Sequence, residues 1–265
     1  MHDVRPAAVA GMFYPDATAR LAAAVRGYLA AAAPDTGDPP KAVIVPHAGF
    51  VYSGPVAASA YARLAALRGR VTRVLLLGPT HRVAVRGLAL PRAHAFATPL
   101  GEVPIDAAAV AQARALPQVV VSDAAHALEH SLEVQLPFLQ SVLGAFSLVP
   151  FAVGDAAPDE VAAVLDLLWG GPETLIVVSS DLSHYRHHSE AARIDRATAD
   201  DILALSATLD HEQACGATPV NGFLLCARRR GLTPALLDLR NSGDTAGDRS
   251  RVVGYAAFAF TEHRT

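Results

Sequence analysis

Ala42-Val43-Ile44-Val45-Pro46-His47-Ala48-Gly49 runs four apolar residues straight into a histidine loop. A short β-branched run bounded by Pro and Gly reads as a buried strand. The same pattern returns twice. Val74-Leu75-Leu76-Leu77-Gly78-Pro79-Thr80 ends at His81, and Ile176-Val177-Val178-Ser179-Ser180 ends at Asp181-Leu182-Ser183-His184. Such runs, alternating with segments of helical period, define an α/β fold. Parallel strands share one carboxyl edge, and open α/β sheets bind ligands outside that edge. His47, His81 and His184 are therefore expected to meet at one edge of a sheet, with Gly49, Gly54 and Gly78 allowing tight turns along the rim.

Outward from these strands, Ala17 to Ala33 reads as a helix closed by the loop Pro34 to Pro40. Pro55 to Leu67, Glu160 to Trp169, Ser189 to Leu205 and Pro219 to Arg230 read as further helices. Ser147 to Val153 and Val252 to Phe260 read as strands, the latter after a turn at Asn241 to Asp248. No repeat, low-complexity linker or composition break interrupts the chain, so residues 1–265 are expected to form one domain.

Composition narrows the function. Lys plus Arg total 22 and Asp plus Glu 25, giving a net charge of −3, too mild to favour nucleic acid or an anionic membrane. Only Lys41 among the basic residues is a lysine, and Arg228-Arg229-Arg230 is the one run of three. No apolar stretch approaches the roughly 18–20 residues of a membrane span. The start, Met1-His2-Asp3-Val4-Arg5-Pro6, shows no basic segment followed by an apolar one, so no signal peptide is read there. Cys215 and Cys226 are too few for a disulfide framework, and a cytoplasmic setting is expected.

The strand-end histidines are the first candidates for chemistry, and Asp181 stands three residues before His184. Cys215 precedes a helix that Pro219 could open. A helix start lowers a thiol's pKa, which would favour a thiolate ligand or nucleophile. Cys226, inside Phe223-Leu224-Leu225-Cys226-Ala227, reads as a buried hydrophobe. A competing pattern is His126-Ala127-Leu128-Glu129-His130, the His-x-x-Glu-His order of inverted zinc peptidases. On one helix its two imidazoles would share a face, although no third ligand is marked downstream.

Taken together, six blocks resemble the Memo family. They are Gly11-Met12-Phe13-Tyr14-Pro15, Pro46 to Gly54, Leu77 to His81, Glu129-His130-Ser131-Leu132-Glu133, Ser179 to His184, and Cys215-Gly216 with Pro219. They stand in the family's order and cover nearly the whole chain. The resemblance implies a fold similar to class III extradiol dioxygenases: a single-domain α/β sandwich on a central mixed β-sheet. It also implies a metal pocket of His47, His81 and Cys215, with Asp181 and His184 beside it as catalytic groups. Phe13 and Tyr52 are implied as substrate-binding, and Glu129 and His130 as supports behind the ligands. Phe13 stands where some relatives carry Trp, and Gln135 where some carry His. Bacterial and archaeal members are often encoded beside a radical SAM protein and an AMMECR1-domain protein, which makes those two expected partners.

Two imidazoles and a thiolate suit Fe(II) first, with Cu or Zn as alternatives. Three functions follow. One is a metal-dependent, dioxygenase-like oxidoreductase acting on an unknown small molecule. The second is a metal- or peptide-binding module without catalysis. The third is a hydrolase with Cys215 as nucleophile and His184 as base.

Overall fold

The computed structural model describes residues 4–32 and 37–262. Ala33, Pro34, Asp35 and Thr36, which fall in the first expected helix and its closing loop, lie outside the described residues. So do residues 1–3 and 263–265.

In the first half of the chain the strands are β1 (Val4–Arg5), β2 (Ala42–Val45), β3 (Arg73–Pro79), β4 (Leu88–Leu90), β5 (Ala95–Thr98), β6 (Gly101–Pro104) and β7 (Val119–Val121). The second half adds β8 (Ser147–Val153), β9 (Thr174–Ser179), β10 (His184–Arg186), β11 (Thr233–Asn241) and β12 (Val252–Thr261). Between them lie α1 (Thr18–Ala31), α2 (Phe50–Tyr61), α3 (Ala107–Ala113), α4 (Asp123–Ala127) and α5 (Leu136–Leu143). They are followed by α6 (Pro158–Leu168), α7 (His188–Leu203), α8 (Ala217–Arg229) and the short α9 (Ser242–Thr245).

Nine strands form the main sheet in the order β10-β12-β2-β9-β3-β8-β4-β7, with β11 also paired to β12. Its centre is parallel: β2 pairs with β9, β9 with β3, and β3 with β8. Antiparallel β12 on β2 and β4 on β8 make it mixed, as the resemblance implies. A small second sheet joins β1, β5 and β6. Along β2, Val43 and Val45 enter one core with Leu21 and Val25 of α1, Val56 of α2 and Leu139 of α5. Ala42 and Ile44 enter a second core with Val161 and Leu165 of α6, Ile202 of α7 and Phe223 of α8. Both faces of the central strands are thus covered, which is why those strands read as continuous apolar runs rather than as alternation.

Several elements differ from the sequence reading. The second helix starts at Phe50, immediately after the histidine loop, so Pro55 lies inside it instead of opening it. The expected turn at Asn241 to Asp248 holds α9, with Asn241 as its cap. None of Gly49, Gly54 and Gly78 takes a left-handed φ. Gly78 is needed for close approach: a Cβ there would lie 2.8 Å from the Ser131 hydroxyl. The segment from His126 to His130 is not one helix, because α4 stops at Ala127 and a 3₁₀ turn follows only at Glu133–Gln135.

Candidate metal centre

Because β2, β9 and β3 are parallel neighbours, the loops after them leave one edge of the sheet together. The His47 and His81 ring centroids are 5.2 Å apart. His130 joins them, 5.4 Å from His47 and 4.6 Å from His81. Among the described residues, the ligand atoms of these three histidines lie within 4.8 Å of one another, so the group could hold a metal ion.

Hydrogen bonds fix which nitrogen His47 and His81 offer. The Ser179 hydroxyl donates to Ser131 O at 2.7 Å and accepts from the Gln135 amide at 2.8 Å. With its proton committed, Ser179 can only accept from His47 Nδ1, 2.9 Å away. That leaves the Nε2 lone pair of His47 facing the cluster. Glu129 does the same for His81: its carboxylate lies 2.8 Å from His81 Nδ1 and accepts the His81 backbone N–H at 2.6 Å. It also accepts the backbone N–H groups of His130 and Ser131, both at 2.9 Å. Burial alone would raise the Glu129 pKa, but the His81 hydrogen bond and these N–H groups outweigh it and hold the pKa at about 2. Carboxylate and hydroxyl partners behind ligand histidines are the usual way a metal site fixes its tautomers.

Burial, and then the neighbouring His81, His130 and His184, keep His47 neutral, with its pKa well below the ordinary imidazole value. Burial likewise brings His130 down to about 4. Imidazoles that keep a free lone pair are a donor set suited to a divalent ion.

Cys215 flanks this group, with Sγ 3.2 Å from His47 Nε2. It lies just before α8 and its Gly216 cap, but the expected lowering of its pKa does not occur. Burial, and then the Asp181 charge, push the thiol up to about 12. Burial thus favours the neutral form of the thiol. Cys226 is buried in α8 and is free, as is Cys215.

Asp181 is buried, and burial raises its pKa to about 6. Its carboxylate accepts the His47 backbone N–H at 2.7 Å, so it holds the main chain of a cluster residue. His184 Nδ1 lies 2.8 Å from Leu182 O, a contact in which the ring must donate, so Nε2 is left as a free acceptor. Asp181 and His184 line a cavity of about 380 Å³ with Phe13, Tyr52 and His130. The Phe13 ring lies 4.7 Å from that of His130, tilted by 45°. On another side, His81 and Cys215 line a cavity of about 330 Å³.

The inverted-peptidase pattern comes apart. His126 is buried away from the cluster, with Nε2 2.9 Å from Ala89 O. Gln135 enters the sequence reading only as a position where some relatives carry His, and Ser131 and Ser179 only as members of quoted blocks. Ser179 does sit in the quoted strand-end block, two residues before Asp181, and that position was the available signal.

The architecture is thus a helix-covered mixed sheet with a histidine cluster at its carboxyl edge. The model of Memo-like proteins matches residues 5–259, and the chain belongs to that family. A MEMO1 family protein of Methanopyrus kandleri is 37% identical, over 97% of this chain and 98% of its own. One from Ignicoccus hospitalis is 35% identical over 97% and 98%. One from Sulfolobus acidocaldarius is 35% identical over 82% and 81%. In fold, the chain is similar to the crystal structure of an uncharacterized protein of Escherichia coli K12, at TM-score 0.55 and 12% identity, covering 82% and 98% of the two chains. No helix among the described residues is long and apolar enough to cross a membrane.

Proposed function

We propose that the protein is a metal-dependent oxidoreductase acting on a small molecule, with Fe(II) as its metal and Cu or Zn as alternatives. One observation carries the reading: Ser179 and Glu129 pin two strand-end imidazoles at Nδ1, leaving Nε2 of each free in a group whose ligand atoms lie within 4.8 Å of one another. His47, His81 and Cys215 hold the ion in this proposal. A separation of 3.2 Å between His47 Nε2 and Cys215 Sγ is close to the roughly 3.5 Å expected of two neighbouring ligands in a tetrahedral site. His130 stacks on His81 with 24° between the rings and is the third member of the histidine group that could hold an ion. It closes the site under Phe13.

A bound ion of this kind supplies Lewis acidity and, for iron or copper, one-electron chemistry. The chain itself supplies the rest. His184 accepts a substrate proton at Nε2, Asp181 keeps the His47 loop in place, and Phe13 and Tyr52 hold the substrate. The setting is cytoplasmic, with a radical SAM protein and an AMMECR1-domain protein as functional partners.

Anaerobic purification with metal analysis tests the ligand set. His47→Ala, His81→Ala and Cys215→Ser should each lose most of the metal. His126→Ala should retain it, and His184→Ala should retain it while losing any turnover. Metal lost in His130→Ala but kept in Cys215→Ser would make the three histidines the ligand set instead.

A further inference from the structure

The rim of the larger cavity carries an arrangement that the metal reading does not use. Strand β10 pairs with β12 through His184 and Arg186, and the register shifts between them. Tyr185 is the displaced residue, with φ of +59° and 64% exposure. A left-handed conformation at a bulky residue is strained and persists where the surroundings enforce it. Here no core burial offsets that strain. The bulge turns the ring out of the sheet into the cavity that also holds His130, Asp181 and His184.

Arg251, one residue before β12, lays its guanidinium over this ring, 5.1 Å from the centroid. Its neighbours are committed elsewhere. Arg186 pairs with Glu212 at 3.0 Å and Glu190 at 3.8 Å, and Arg249 reaches Asp244 at 4.0 Å. Among the described residues no carboxylate pairs with Arg251. Asp248 shares the rim, but its two oxygens accept the N–H and hydroxyl of Ser250 at 2.9 and 2.8 Å. A guanidinium stacked on an aromatic face keeps its edge N–H groups free for a planar, two-pronged acceptor. Tyr52, 41% exposed on the same cavity, adds a second aromatic wall. Asp181 at the inner end disfavours a second negative charge there. The volume of about 380 Å³ is within the range of small-molecule sites.

We propose that Arg251 and Tyr185 form a carboxylate-binding rim, and that the molecule entering this cavity is a small planar monocarboxylate. The carboxylate lies on Arg251 while the flat body extends between Tyr185 and Tyr52 toward the histidines. This names a substrate class for the metal site and rests on that reading, but the rim contact itself needs no metal.

Calorimetric titration with benzoate and with its neutral counterpart benzamide tests the rim, in chelated and metal-loaded protein, with metal content measured on each preparation. Benzoate should bind at least tenfold more tightly than benzamide. Arg251→Gln should abolish that preference, and Arg249→Gln should keep it. Tyr185→Gly relieves the left-handed strain, so it should leave thermal stability at or above wild type while weakening benzoate. Equal affinity for the two probes, or an unchanged preference in Arg251→Gln, would overturn the proposal whatever the metal content. An Arg251-dependent preference in protein that takes up no metal would support the rim and remove the oxidoreductase reading alone.

Discussion

Ser179 has one proton and three partners, and that arithmetic decides which nitrogen His47 presents. Ser179→Ala would leave Ser131 O and the Gln135 amide short of a partner in a buried site and would release the His47 ring. Leaving such groups unsatisfied costs about 1–3 kcal/mol. Loss of a partner behind a ligand typically weakens metal affinity by about 10–100-fold. Chemical unfolding and a metal titration on the same variant check both, and unchanged affinity would detach Ser179 from the site. His126 makes a second case. Its Nε2 donates to Ala89 O, while its buried Nδ1 has no partner, so a second proton would place a charge where nothing accepts it. Burial accordingly brings its pKa down to about 4 from 6.5. The unfolded chain takes up that proton first, so the contribution is whole above pH 6.5 and is lost as pH falls toward 4. At pH 5 the loss is about 2 kcal/mol. Urea unfolding at pH 7 and pH 5 should show His126→Gln, which keeps a donor for Ala89, losing less stability than wild type between the two. At this scale the sequence made His47, His81, Asp181 and His184 visible because each follows an apolar strand directly. It hid the placement of His130, because putting His126 to His130 on one helix passes over the break after Ala127. Ser179, Arg251 and Tyr185 act through neighbours distant in the chain, and local pattern does not reveal such neighbours.

The element that presents Asp181 and His184 is a loop gripped from two sides. Leu182 N–H donates to Gly254 O and Gly254 N–H to Ser183 O, both at 2.8 Å, which ties the loop to β12. From α7, the Asp195 carboxylate accepts the Ser183 N–H at 3.0 Å. Asp195 comes this close only because residue 254 has no side chain, since a Cβ there would lie 2.0 Å from Asp195 Oδ2. Gly254→Ala must therefore push α7 from β12 or give up the Asp195 contact. Overpacking of this kind costs about 1–3 kcal/mol. The melting temperature should fall, and His184-dependent turnover should fall further than in an Ala substitution at Gly27, where a Cβ meets nothing within 4 Å. Equal activity in the two variants would mean the grip does not position the loop. Elements such as β2, β3, β8 and β9 were readable because burial on both faces leaves an unbroken apolar signature. Strands β4 and β7 have three residues each, too few for any period to emerge. Helix α2 begins five residues before Pro55, because a proline can open a helix but can also sit within one. Here the helix starts at Phe50, after Gly49 as its cap, and Pro55 is tolerated within it.

Across the whole molecule, the cluster draws on segments far apart in sequence. His47 follows β2, His81 follows β3, His130 lies between α4 and α5, and Cys215 precedes α8. In an unfolded chain these donors are dispersed, so an ion that needs several of them binds the folded state almost exclusively. Binding then adds to folding stability as RT ln(1 + [L]/Kd), about 2.7 kcal/mol when the free ion is at 100 times its Kd. The gain should be global, because the ligands connect the middle of the sheet to α8 and hence to both cores. Thermal unfolding followed under anaerobic conditions should shift upward with added Fe(II) or Zn(II) and return to its starting value with a chelator. Amide exchange should slow in β2, β3 and β9 together and not only at the loops. His47→Ala should abolish the shift, because it removes a donor that lies beside both His81 and Cys215. His126→Ala should leave it intact after allowance for its own lower baseline. A melting temperature indifferent to every divalent ion tested, in protein whose circular dichroism shows a native fold, would mean that the pinned imidazoles serve the fold and not a metal.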